Sequence, residues 1–89
     1  MKKPRQLERF VKGFSNHRRI QILDLLARTP ELSLMEITDE LNINFRTASD
    51  HIRRMVVAGL VLKRNEGAMV RHAISDLGRK VLNFLKSID

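Results

Sequence analysis

The sequence lacks cysteine, tryptophan and tyrosine, and it has only two prolines among 89 residues. Without cysteine, disulfides, thiolate metal sites and thiol catalysis are excluded. Four phenylalanines are the only aromatic residues, so stacking on single-stranded nucleic acid has few side chains to use. No apolar run approaches the roughly 20 residues of a membrane span, and no apolar stretch follows the basic N-terminus as in a secretory signal. We therefore expect a cytoplasmic protein without membrane contact.

Positive charge predominates in the chain. Lys and Arg number 17 against 10 Asp and Glu, which gives a net charge of +7 at pH 7. Such an excess indicates polyanionic partners but does not indicate a fold. Hydrophobic residues make up 43% and charged residues 30%, as in folded globular chains. The length fits a single domain over residues 1–89.

Apolar residues at helical spacing predict helices in the first third of the chain. The first helix ends near Gly13. The second begins after Ser15 or Asn16, either of which can cap it, and its wide apolar stripe predicts a largely buried helix. It ends at Thr29-Pro30, because the residue before proline avoids the helical region.

Two further helices and a tight turn follow. Residues 33–36, Ser-Leu-Met-Glu, have the form of a capping box, in which a hydroxyl and a Glu cap each other's backbone amides. This third helix extends to about Leu41, and residues 41–44 predict a short turn because Asn tolerates left-handed conformations. The fourth helix spans Phe45 to about Ala58, and Gly59 occupies the position of a left-handed helix stop.

A β-hairpin and a last helix complete the order. Residues 60–64 and 69–74 are strand-like, with a loop over 65–68 in which Gly67 supplies a positive φ. Ser75 is positioned to cap the final helix. The predicted fold is mostly α with a small β-hairpin, in the order α-α-α-α-β-β-α. This is a winged helix-turn-helix, with the helix-turn-helix at about 33–59, the wing at about 60–74 and the C-terminal helix at about 75–88.

The fourth helix has the two faces that a DNA-recognition helix requires, one held by the core and one free to meet base edges. The apolar face consists of Ala48, Ile52, Met55 and Val56. The polar side and N-terminal end supply the predicted DNA contacts, which are Asn44, Phe45, Arg46, Thr47, Ser49, Asp50 and Arg53.

The side chains of this helix suit double-stranded DNA. Arg46 can read guanine bidentately, Asp50 can accept from a cytosine amine, and Ser49 is a tolerant hydrogen-bonding group. Phe45 suits a thymine methyl group. At the helix start, side chains and backbone amides can meet phosphate.

The charges along the chain agree with that assignment. Residues 46–71 contain six Arg or Lys and two acids, a net charge of +4, whereas residues 31–44 contain four acids and no base. The wing contributes Lys63, Arg64 and Arg71, which suit flanking phosphates or a narrow minor groove.

Several segments resemble the ArsR family of repressors. The run over 14–26 (FSNHRRIQILDLL) looks like the family's opening, and residues 31–37 (ELSLMEI) resemble its next segment. Residues 47–52 (TASDHI) are similar to its recognition helix, and residues 58–61 and 64–67 are similar to its helix end and wing. The resemblance covers roughly residues 14–77.

The resemblance implies a homodimeric transcriptional repressor on pseudo-palindromic DNA, with dimerisation through the first and last helices. Apolar stripes in both helices are compatible with this, although they would equally serve to complete the core of a monomer. The predicted interface residues are Leu7, Phe10, Val11, Phe14, Val81, Phe84, Leu85 and Ile88.

The sequence departs from the metal-sensing members of the family. They carry two cysteines at the start of the third helix, where this chain has Ser33 and Met35. Another sensing site of the family uses His and acids on the last helix, which here holds Asp76 but no His. We therefore expect no metal and no cofactor, and the sequence identifies no effector.

Other functions have weaker support. No nucleophile is paired with a base, since Ser49 and His51 are two residues apart on a helix and face different ways. We therefore expect no enzyme activity. A protein-interaction module or a non-specific nucleic-acid-binding protein remain alternatives. The methionines Met35, Met55 and Met69 are predicted to fill the core.

Overall fold

The computed structural model describes all 89 residues as five helices and one two-stranded sheet. The observed order is the predicted one, and the fold prediction is confirmed. The elements are α1 (Pro4–Lys12), α2 (His17–Arg28), α3 (Leu34–Leu41), α4 (Phe45–Val57), β1 (Val61–Glu66), β2 (Met69–Ile74) and α5 (Asp76–Ser87). None of these helices is long and apolar enough to cross a membrane.

Short-range capping sets the helix boundaries, as predicted. The Ser33 hydroxyl accepts from the Glu36 amide at 3.2 Å, and the Glu36 carboxylate accepts from the Ser33 amide at 2.9 Å. Asn16 and Ser75 cap α2 and α5. The turn into α4 passes through Asn42, at a φ of 51°. Asn is one of the few residues that adopts this left-handed conformation readily.

The hairpin is longer and tighter than predicted. β1 pairs antiparallel with β2 from Val61–Ile74 to Glu66–Met69. The connection is only Gly67-Ala68, so the predicted four-residue loop was wrong by two residues. Gly67 has a φ of 61°, which the first position of a two-residue hairpin turn requires. That turn allows the strands to stay paired up to Glu66.

The core is centred on α2, which contributes four of its thirteen buried apolar residues. α3, α4, α5 and β2 all pack against it. Val81 of α5 lies in this core at 7% exposure, while α1 has no buried residue. The core residues are Ile22, Leu23, Leu25, Leu26, Leu32, Ile37, Ile52, Met55, Leu60, Val61, Ile74, Val81 and Leu82.

The methionine prediction was right for one residue of three. Met55 is fully buried, whereas Met35 is 57% and Met69 44% exposed. Met35 lies off the inward face of α3, which Ile37 and Thr38 occupy. Met69 begins β2 at the tip of the hairpin, beyond the reach of the core.

Candidate nucleic-acid interface

α4 presents a polar face because its opposite face is fixed in the core. Ala48, Ile52 and Met55 are buried against α2, α3 and β1. Burying each larger side chain stabilises the fold by about 1.5–3 kcal/mol, so the orientation of the helix is firmly set. Of the predicted contacts on α4, all are exposed except the half-buried Ser49. Even Phe45 keeps 51% of its surface exposed.

Asn44 caps the N-terminus of α4. Its side-chain oxygen accepts from the amides of Arg46 at 2.8 Å and Thr47 at 3.3 Å. These two amides, which the sequence suggested for phosphate, therefore already have an acceptor. Asn44 keeps its side-chain NH₂ for an outside partner. Its capping role could have been predicted, because Asn is among the preferred residues before a first helical turn.

The charged side chains of α4 differ in how they are paired. Arg53 lies 3.7 Å from Asp50, one turn earlier, and both are well exposed. An exposed pair of this kind contributes at most about 1 kcal/mol, so another anion can replace Asp50. The Arg46 side chain forms no ion pair or hydrogen bond within the chain and extends from the first turn of α4.

The wing arginines pair with the carboxylates of Glu31, Glu36 and Glu66. Arg64 contacts Glu31 at 2.7 Å and Glu66 at 3.0 Å. Arg71 contacts Glu36 at 3.1 Å and donates to the Glu31 carbonyl oxygen at 3.3 Å. Both arginines were predicted to contact DNA. In the structure Arg71 links the wing to α3, and Arg64 links it to the turn before α3.

Two groups in these contacts, Glu36 and Arg64, have a shifted pKa. Bonds to the backbone and side chain of Ser33 lower the pKa of Glu36 first, and the charge of Arg71 adds to this effect. Hydrogen bonds to Glu31 and Glu66 raise the pKa of Arg64. Lys63, the third predicted wing contact, has no carboxylate partner and is exposed.

A second link joins the wing to the turn before α3. The backbone of His72 pairs with that of Leu32, and the His72 ring nitrogen Nδ1 lies 2.9 Å from the Leu32 carbonyl oxygen. Burial lowers the pKa of His72, which favours the neutral ring. Through this contact and the arginine pairs, the wing and α3 are joined near the α4 face.

Sequence reasoning missed the contact between Arg19 and His51. Arg19 Nε donates to His51 Nδ1 at 3.0 Å, and its guanidinium also donates to the Lys12 carbonyl oxygen. Arg19 thereby connects the end of α1, the start of α2 and the middle of α4. Burial, followed by the charges of Arg19 and Arg54, lowers the pKa of His51. No local pattern points to a pair 32 residues apart.

The predicted dimer residues differ in burial and fall into four groups. Phe84 (58% exposed), Ile88 and Val11 are exposed. Phe10, Phe14 and Leu85 are partly buried against the core, and the Phe10 and Phe14 rings meet edge to face at 5.8 Å. Leu7 is half-buried. Val81 belongs to the monomer core, because α5 packs on α2 there, and it has little surface left for a partner.

Other residues stand at the two positions where the metal-sensing members of the family carry cysteine ligands. Ser33 caps α3 and Met35 is exposed. The three histidines lie on separate elements, and no three His, Asp or Glu side chains come together as a metal site.

The family model described as "Bacterial regulatory protein, arsR family" matches residues 16–63, from the cap of α2 into β1. An HTH-type transcriptional regulator of Methanocaldococcus jannaschii is 32% identical over 89 residues, which cover 100% of this chain and 98% of that protein. An HTH-type transcriptional regulator of Mycobacterium tuberculosis is 37% identical over 70 residues. That match covers 79% of this chain but only 30% of the mycobacterial protein.

A solved structure agrees with the sequence comparisons. The homodimeric winged helix-turn-helix DNA-binding domain of a Mycobacterium bovis protein, described as a possible ArsR-family transcriptional regulator, superposes with a TM-score of 0.83 at 31% identity. The match covers 93% of this chain and 77% of that one. The family and these relatives are transcriptional regulators, not enzymes. The chain belongs to the ArsR family of transcriptional regulators and has their winged helix-turn-helix DNA-binding fold.

Proposed function

We propose that this protein is a homodimeric repressor that recognises a pseudo-palindromic site in double-stranded DNA. In this proposal α4 enters the major groove and the wing lies beside it. The observation that carries the proposal is the exposed polar face of α4, whose orientation is fixed by the buried Ala48, Ile52 and Met55. A helix held in this way can reach base edges without unfolding any other part of the chain.

Each exposed side chain has a proposed partner on the duplex. Arg46 takes a guanine edge, Asp50 a cytosine amine and Phe45 a thymine methyl group, with Ser49 as a further hydrogen-bonding group. Asn44 and Thr47 contact phosphate at the helix start, and Arg53 contacts DNA farther along the helix. The exposure of this face supports these roles.

The wing is proposed to contact the backbone beside the groove. Lys63 has no carboxylate partner and can contact a phosphate directly. Arg64 and Arg71 must first leave their carboxylate partners before they can contact phosphates. Most of the side chains in these pairs are exposed, so the exchange costs little.

Two observations support a homodimer. The terminal helices leave apolar side chains exposed, among them Val11 and Phe84, and the related Mycobacterium bovis domain is homodimeric. A two-fold dimer would place two copies of α4 about one helical turn of DNA apart, roughly 34–36 Å.

Replacement of the unpaired arginine tests the recognition helix. We expect Arg46→Ala to weaken binding to the specific duplex by about 1–3 kcal/mol and to relax the preference at one base pair. The measurement is the anisotropy of a labelled duplex from the region upstream of the protein's own gene, with a scrambled duplex as competitor. Arg28→Ala is the control, because Arg28 lies at the far end of α2 and pairs with Asp24.

Two results would contradict the proposal. An equal loss on specific and scrambled duplexes would remove Arg46 as a base-reading residue. A wild-type protein that prefers neither duplex would argue against sequence-specific regulation through this site.

Removal of one carboxylate partner of Arg64 gives a second test. We expect Glu31→Gln to strengthen binding to scrambled duplex by up to about fivefold, because Arg64 then loses an exposed partner worth up to roughly 1 kcal/mol. Glu40→Gln removes the same charge from an exposed position without an ion pair, and it controls for the change in net charge. If the two variants gain equally, the wing arginine does not contact the duplex.

A further inference from the structure

A basic cleft lies between α1, the C-terminal half of α4 and the start of α5. It has a volume of about 460 Å³, and its apolar lining includes Phe10, Val57 and Leu77. No carboxylate lines it. Six cationic side chains do, from Lys2, Arg9, Lys12, Arg19, Arg53 and Arg54.

These cations are not equally available. Lys12 and Arg53 have exposed acidic neighbours outside the cleft lining, Glu8 at 3.6 Å and Asp50 at 3.7 Å. Arg19 is anchored by the hydrogen bonds to His51 and Lys12 described above. Two guanidinium groups, those of Arg9 and Arg54, have neither a carboxylate partner nor a hydrogen bond within the chain.

Like charges lie close together around Arg54. The charge of Arg54 lowers the pKa of both Arg19 and His51, in addition to the effect of burial. An anion that enters between neighbouring cations stabilises their charged forms. A guanidinium fork matches the oxygens of a phosphate group in particular.

The cleft is continuous with the proposed DNA-binding face. Arg46, Arg53 and Val57 follow one another at helical spacing along α4, and Arg53 belongs to both surfaces. A duplex that meets the N-terminal half of α4 would therefore run past the mouth of the cleft. This continuity favours a phosphate of the DNA backbone over a free anion as the occupant.

We propose that this cleft is a phosphate-binding site for the backbone of bound duplex DNA, with Arg9 and Arg54 as its ligands, additional to the α4 face and the wing. The proposal rests on the DNA-binding function proposed above. α1, which contributes no buried residue to the core, would thereby help to hold the duplex.

The salt dependence of binding tests this assignment. We expect Arg9→Ala and Arg54→Ala each to reduce the slope of log K against log salt by about 0.9, the amount for one phosphate contact. The reduction should be the same on specific and scrambled duplexes, because phosphates carry no sequence information. Arg28→Ala removes one exposed positive charge outside the cleft and should leave the slope near the wild-type value. Slopes for Arg9→Ala and Arg54→Ala that match Arg28→Ala would overturn the proposal.

Uncharged linkages in place of single phosphates of the duplex can locate the phosphate that the cleft contacts. Duplexes with single methylphosphonate substitutions should weaken wild-type binding at the contacted phosphates, and Arg54→Ala should lose that sensitivity at one position. Sensitivity that is unchanged in Arg54→Ala at every position would contradict the site. Inorganic pyrophosphate that binds through Arg54, with no change in duplex slope, would make the cleft a site for free phosphate instead.

The cleft proposal and the proposed function can be refuted separately. If wild-type protein discriminates specific from scrambled duplex and the cleft variants behave as Arg28→Ala, only the cleft proposal falls. If wild-type protein does not discriminate, specific recognition falls, and the slope on scrambled duplex still decides whether the cleft holds phosphate.

Discussion

Phe84→Glu is expected to convert the protein from a dimer to a monomer and to weaken specific DNA binding by about 10²- to 10⁴-fold, the factor that a linked second half-site can contribute. Phe84 is 58% exposed and lies outside the core cluster. A carboxylate at this position can remain hydrated in the monomer, but in an apolar interface it would be buried without a partner. The substitution should therefore act on association and leave the fold intact.

Light scattering after size exclusion measures the first effect, and anisotropy on the specific duplex measures the second. Asn83→Glu is the matched control, since it adds the same charge at the neighbouring exposed position of α5. Circular dichroism should show the same helix content in wild type and both variants. A wild-type mass equal to one chain, or a Phe84→Glu variant that remains dimeric, would refute the proposed use of α5.

Gly78→Ala is expected to destabilise the fold by about 1–3 kcal/mol, as overpacking of a core does, although alanine is the better helix former by about 1 kcal/mol. Gly78 lies in the first turn of α5 and is buried. A methyl group there would overlap the Leu60 carbonyl oxygen and lie 2.7 Å from Ile74 Cγ1. The Leu60 oxygen cannot move freely, because it accepts from the Ser75 amide at 3.0 Å.

Urea unfolding of the two variants Gly78→Ala and Asn83→Ala separates packing from helix propensity. Asn83→Ala is expected to be neutral or slightly stabilising, because Asn83 is exposed in the same helix and alanine favours helix formation. A Gly78→Ala variant as stable as wild type would mean that α5 can shift away from the hairpin at no cost.

Features encoded within a few residues were predictable from the sequence. The Ser33–Glu36 capping box, the left-handed Asn42 and the helix stop at Gly59 each depend on neighbouring backbone. The inward faces of α2 and α4 followed from apolar spacing in the same way. The order of elements, the winged helix-turn-helix and the family resemblance all rest on such local signals.

Other features depended on residues that are distant in sequence. Nothing local shows that Arg64 is held by Glu31, 33 residues away, or that Arg19 donates to His51. The burial of Val81 likewise depends on α5 packing against α2. Apolar spacing shows that such a residue is covered, but it does not show whether the chain itself or a partner covers it.

The elements, their order and the polar face of α4 are therefore readable from the sequence, because steric limits, capping bonds and apolar periodicity act over one or two turns of chain. Which arginines are paired and which are free depends on the folded chain. Ion pairing depends on distance in space, and packing sets that distance. Packing brings Glu31 and Glu36 to the wing arginines and leaves Arg9 of α1 and Arg54 of α4 unpaired.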